Sequence, residues 1–237
     1  MKKIMFNDKY GLTEAVLSGR KTMTRRIIPP IEIDWARRGK VTLPVSGYRH
    51  RALWMDCRQF LPDSSPFDYV APQKYQSAYD FDEEVAVAQS YSNLREVLAK
   101  RDFKRTDALY DRFYRAMQMG EAHDGMPGWN NKMFVNAEYM PHRIRITDIK
   151  AERLQDISEE DAMREGIFKY DKPPLYHEGD HFAPWPPYVK PYKHDYDNLK
   201  YRCSARYAFA YLIDKVSGTG TWNSNPWVFA YTFELLY

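Results

Sequence analysis

The run Trp227-Val228-Phe229-Ala230-Tyr231-Thr232-Phe233-Glu234-Leu235-Leu236 is apolar at consecutive positions rather than at every second one. Side chains alternate across a strand, so a run apolar at both parities must be covered on both faces. It is predicted to be a strand buried inside a closed sheet, and the rest of the fold has to be built around it. Arg143-Ile144-Arg145-Ile146-Thr147 alternates charge with aliphatic, which marks a half-buried strand. Val85-Ala86-Val87-Ala88-Gln89 reads as a further strand.

Helical signals are fewer. Leu12, Ala15 and Val16 predict a short helix over 12–18, stopped by Gly19. Ala108, Leu109, Phe113, Ala116 and Met117 share one face of a helix over 107–119. Ser158 caps a helix that carries acidic residues in its first turn and stops at Gly166. A last helix runs from about 199 to 216. Between these elements, 29–77 and 169–197 mix Pro, aromatic and basic residues without a period and read as long surface insertions. Nineteen Tyr, twelve Phe and six Trp make the chain 16% aromatic. Rings therefore do much of the packing, and they also suit surfaces that stack on bases.

Charge and cysteine content narrow the class. A net charge of +3 falls short of a dedicated nucleic-acid coat, although a local basic patch can still steer a ligand. Cys57 and Cys203 are too few for a disulfide framework or a Cys-rich zinc site, so free thiols in a reducing cytoplasm are expected. No signal-peptide run opens the sequence and no stretch approaches the roughly 18 apolar residues of a membrane span. His177-Glu178-Gly179-Asp180-His181 matches a zinc-protease pattern in letters only. Gly179 and the prolines at 173, 174, 184, 186 and 187 argue against the helix that would place both histidines on one face. Neither a metal nor a cofactor is expected.

Gly19-Arg20-Lys21-Thr22-Met23-Thr24-Arg25-Arg26 carries more chemistry. After the glycine come four cations and two hydroxyls in seven residues. Arginine forks can hold a phosphate or carboxylate. A Thr hydroxyl beside a Lys amine can act as nucleophile and base if burial lowers the amine's pKa. The plain alternative is a solvated edge strand, 21–28, whose cations prevent edge pairing. In an ideal strand residues 21 and 24 point to opposite faces, so they converge only if Lys21 belongs to the turn after Gly19 or a bulge intervenes. Glu165, at the end of the Ser158 helix, opposes the helix dipole and is either a functional carboxylate or a surface one.

This basic motif follows a short strand and helix. Further on come Met140-Pro141-His142-Arg143-Ile144-Arg145-Ile146-Thr147-Asp148-Ile149, Arg153-Leu154-Gln155-Asp156-Ile157-Ser158-Glu159-Glu160-Asp161-Ala162 and Trp222-Asn223-Ser224-Asn225-Pro226-Trp227-Val228. Together these blocks resemble the ASCH family, relatives of the PUA RNA-binding domains, in its phage-associated and Bacteroides-type branch. The likeness covers 3–28, 83–90, 129–167 and 199–237. It implies a mixed α+β, β-rich fold: one PUA-like pseudo-β-barrel over 1–237, with flanking helices and insertions at about 29–80 and 168–198. It also implies a cleft beside the first helix for RNA or a nucleoside. One enzymatic branch removes an acyl group from acetylated cytidine with a Lys, a Thr and a Glu, to which Lys21, Thr24 and Glu165 correspond.

Three functions are thereby open. The first is RNA or nucleoside/nucleotide binding by Arg20, Thr22, Arg25 and Arg26 around Lys21 and Thr24, with Trp54 or Trp129 stacking a base and Trp227 either stacking or packed in the core. The second is amidohydrolysis of an N4-acylated cytidine by Lys21, Thr24 and Glu165. The third is a phage-derived accessory or assembly protein that meets a protein partner through its insertions.

Overall fold

The computed structural model describes residues 1–28, 73–99, 123–170, 181–185 and 204–236. It also describes the backbone of short strands at 32–35, 39–42, 47–49 and 52–55, and a few helical positions between 111 and 118. Among the described residues twelve strands appear in chain order: β1 Lys3–Ile4, β2 Met23–Ile27, β3 Glu32–Trp35, β4 Gly39–Thr42, β5 Gly47–Arg49, β6 Ala52–Met55, β7 Gln73–Gln76, β8 Glu84–Val87, β9 Arg143–Arg153, β10 Phe168–Tyr170, β11 His181–Ala183 and β12 Trp227–Leu235. The helices discussed below are α1 Leu12–Leu17, α2 Tyr91–Ala99, α3 Pro127–Asn130, α4 Glu159–Arg164, α5 Ala205–Ser217 and α6 Thr221–Ser224.

The architecture is mixed α/β. Its principal sheet has five strands in the order β1-β8-β9-β12-β2, parallel between β1 and β8 and antiparallel elsewhere. The doubly apolar run therefore occupies an inner position, flanked by β9 and β2. Val228 and Ala230 are buried on one parity, Phe229 and Tyr231 on the other. The sheet is not closed, contrary to the expectation: among the described residues β1 and β2 are edges without mutual ladder bonds. The Arg26 guanidinium instead donates to the Met5 carbonyl just beyond β1, and Phe6 packs against Phe233 at 5.8 Å between centroids.

The core joins this sheet to three helices. Leu12 and Val16 of α1, Ala162 of α4, and Ala205, Ala208, Phe209, Leu212 and Ile213 of α5 share one buried cluster with β1, β8, β9 and β12. The α5 residues recur at the three-and-four spacing of a single helical face, and Ser204 caps that helix by accepting from the Tyr207 amide. A second cluster gathers Tyr91, Leu94, Val135, Ala137 and Met140, with Trp129 packed against it.

Several boundaries differ from the sequence expectation. β9 runs on to Arg153, twice the predicted length, because β12 pairs along all of it with one bulge where Thr232 and Phe233 face Asp148 and Ile146. The aperiodic stretch 29–77 contains strands after all, β3–β4 as one antiparallel pair and β5–β6–β7 as another small sheet. Strands that short leave no period to detect. The helix expected over 107–119 falls largely outside the described residues, as do 199–203 of the last one, which is seen from Ala205. His181 begins β11, so the second histidine of the zinc-like pattern stands on a strand; His177 and Glu178 lie outside the described residues. No helix among the described residues is long and apolar enough to cross a membrane.

Candidate functional site

The site begins at the end of α1. Gly19 adopts φ +73°, a left-handed turn that glycine enters without steric cost, and its amide donates to the Val16 carbonyl at 2.9 Å. The chain then folds back. The Lys21 amide reaches the Ala15 carbonyl at 2.8 Å and the Thr22 amide reaches the Arg164 carbonyl at 2.9 Å. Lys21 thus belongs to the turn and β2 starts only at Met23, which is the arrangement that lets residues 21 and 24 serve one cavity.

On the other side, Ser158 caps α4 by accepting from the Asp161 amide. Glu165 terminates α4 and Gly166 follows at φ +100°. The Arg20 guanidinium donates to the Gly166 carbonyl, so both turns are tied together. Lys21 is 2% exposed, Glu165 4%, Thr24 5% and Arg25 6%. These values exclude the solvated edge strand, although β2 is an edge of the sheet.

Lys21 Nζ donates to Glu165 Oε2 at 2.6 Å and to the Glu165 carbonyl at 2.7 Å. Burial pushes the Lys21 ammonium below its ordinary value. The Glu165 carboxylate pulls it back up, and the Arg26 and Arg25 charges press it down again. Arg25 uses its whole fork. Nε and Nη2 meet Glu152 Oε1 at 2.9 and 2.6 Å, Nη2 meets Asp161 Oδ2 at 3.2 Å, and Nη1 meets Glu165 Oε1 and Met23 Sδ at 3.1 and 3.2 Å. The Thr24 hydroxyl makes no side-chain hydrogen bond among the described residues.

Lys21, Thr24, Arg25, Arg26 and Glu165 line one side of a cavity of about 200 Å³. Leu12, Phe209, Leu212, Ile213 and Val216 supply an apolar wall, with Phe6 beside them. The candidate residues divide accordingly. Lys21, Thr24 and Glu165 converge. Arg25 reaches the cavity but is spent on carboxylates, so its assignment to a phosphate is corrected. Arg20 and Thr22 are half-buried beside α4, where Thr22 Oγ1 accepts from Arg164 Nε at 3.4 Å. Trp129 packs against the second cluster and does not line the cavity. The Trp54 side chain lies outside the described residues. Trp227 sits under the Arg153 guanidinium, 4.7 Å from its ring centroid, likewise away from the cavity. Phe6, Phe209, Glu152 and Asp161 were missed by sequence reading. The first two look like ordinary core residues, and the two carboxylates gain meaning only from Arg25.

Gly166 is a local test of this construction. A Cβ there would stand 3.4 Å from Lys21 Cβ and 3.5 Å from Ala15 Cβ, on a backbone that L-residues avoid. Gly166→Ala is expected to cost about 1–2 kcal/mol, the scale of a left-handed penalty. A urea unfolding midpoint unchanged from wild type would contradict the assigned turn.

Comparison of the chain with protein-family models, curated proteins and solved structures finds no match.

Proposed function

We propose that the protein is an ASCH-type, PUA-like domain whose cavity hydrolyses an N-acylated nucleoside. The observation that carries this reading is the convergence of the buried Lys21–Glu165 pair and the Thr24 hydroxyl on one small cavity. The order strand, helix, glycine turn, basic edge strand supports the family resemblance, as does the Arg26 link between the two sheet edges.

The chemistry follows the nucleophile, base and orienting-group logic. After one proton leaves the Lys21–Glu165 pair, the neutral amine is still held by Glu165. Thr24 Oγ attacks the amide carbonyl as Lys21 accepts its proton. The tetrahedral intermediate collapses, the C–N bond breaks, and Lys21 returns the proton to the departing amine of the nucleoside. Water, deprotonated by the same amine, then attacks the threonyl ester; the C–Oγ bond breaks, Lys21 returns the proton to Thr24 Oγ, and the acid is released. Phe6 and Phe209 contribute apolar surface to the cavity lining.

The cavity suits a neutral nucleoside better than a polyanion. The buried Arg25 is neutralised by carboxylates, while Arg20 and Arg26 are half-buried and bonded to backbone carbonyls. The test is release of cytidine from N4-acetylcytidine by the purified protein, followed by chromatography. Turnover supports the reading. No turnover with salt-dependent binding of RNA oligomers would replace it by a binding module.

The pH profile has a definite sign. The active amine is neutral, so kcat/KM rises with pH through the Lys21 titration. Burial lowers that titration, so the rising limb should be centred below the ordinary lysine value of about 10.4. A limb centred at or above that value would rule out Lys21 as the base.

A further inference from the structure

We infer that Arg25 is a positioning residue for the Lys21–Glu165 pair, its guanidinium fixing one oxygen of Glu165 so that the other is presented to Lys21 in a single orientation. This rests on the hydrolytic reading of the cavity for its consequence, but on separate distances for its geometry. Glu165 divides its two oxygens, Oε1 accepting from Arg25 Nη1 at 3.1 Å and Oε2 from Lys21 at 2.6 Å. A carboxylate held at both oxygens cannot rotate without breaking one bond.

The guanidinium is itself immobilised by three carboxylates from two elements: Glu152 of β9, and Asp161 and the terminal Glu165 of α4. Lys150 Nζ lies 2.6 Å from Glu152 Oε2 on the solvent side, and Arg164 lies 3.3 Å from Asp161 Oδ1. From surface to cavity the charges alternate as Lys150, Glu152, Arg25, Glu165, Lys21. Each ion is flanked by its opposite, and the bonds at both Glu165 oxygens keep its orientation. Ala230 makes the crossing feasible. It pairs with Arg25 on β2 and Lys150 on β9 and presents only a methyl group, so Arg25 and Glu152 of the two flanking strands meet across β12.

Lysine labelled with ¹³C at Cε gives a direct readout, with the Lys21 resonance assigned by its loss in Lys21→Arg. The charges facing Lys21 are Glu165, Arg25 and Arg26; those facing Arg25 are Glu152, Asp161 and Glu165. In Arg25→Gln the Lys21 midpoint should move upward, since a neighbouring cation is lost, and the rising limb of kcat/KM should move with it. In Arg25→Lys the charge remains but the fork does not, so kcat should fall about 10–100-fold, with KM within about twofold. Glu152→Gln tests the same link if Arg25→Gln does not fold, and should lower kcat in the same sense. An unmoved Lys21 midpoint in Arg25→Gln, or unchanged kcat in Arg25→Lys and Glu152→Gln, overturns the assignment. A shifted midpoint in a protein that releases no cytidine supports the positioning role and removes the hydrolytic reading instead.

Discussion

Lys21→Ala is expected to abolish measurable cytidine release while leaving the protein folded. Removing the amine takes away the acceptor for the Thr24 proton and the donor for the leaving amine. General acid–base help of this kind contributes about 10²–10⁴ in rate, equivalent to about 3–5 kcal/mol of barrier. The same change strands Glu165 less than might be feared, because Oε1 keeps the Arg25 bond. Lys21→Arg keeps the charge but places a permanently protonated group in the pair, so it should be as inactive as alanine. The check is kcat/KM for wild type and both variants, beside far-ultraviolet circular dichroism. Retained activity in Lys21→Arg would exclude a lysine base.

The second large effect concerns stability. Arg25→Leu should lower the unfolding free energy by about 3–5 kcal/mol, as when one member of a buried ion cluster is removed. The cost arises because Glu152 and Glu165, both nearly inaccessible, each lose one of two cations and keep only Lys150 and Lys21 respectively. For a chain of this size each kcal/mol displaces the melting temperature by about 2–4 °C, so a drop of about 10 °C is expected. Thermal melts of the two proteins at neutral pH decide it. A variant that melts with wild type at neutral pH would show that the cluster holds nothing in place.

Much of the scaffold was legible in the chain because local chemistry specifies it. Gly19 as the stop of α1, Ser158 as the cap of α4, Gly166 after it, and the apolar β12 all rest on backbone preference or on alternation, which short windows contain. The closed sheet was misjudged for a related reason. A run buried on both faces is equally well satisfied by an inner position in an open sheet covered by helices, and periodicity does not separate the two. The short strands of 29–77 left no period to find.

The candidate site divides along the same line. The sequence nominated the groups of the proposed chemistry: a lysine and a threonine after a glycine turn, and a glutamate ending a helix. Tertiary structure alone decided which of them meet, because Lys21 and Glu165 stand 144 positions apart and Arg25 and Glu152 127. Arg25 shows the difference. By composition it is a phosphate-binding arginine, but the register of β12 between β2 and β9 turns it onto Glu152, Asp161 and Glu165. Charge type is a property of the residue, whereas the partner that neutralises it is set by strand pairing across the whole chain.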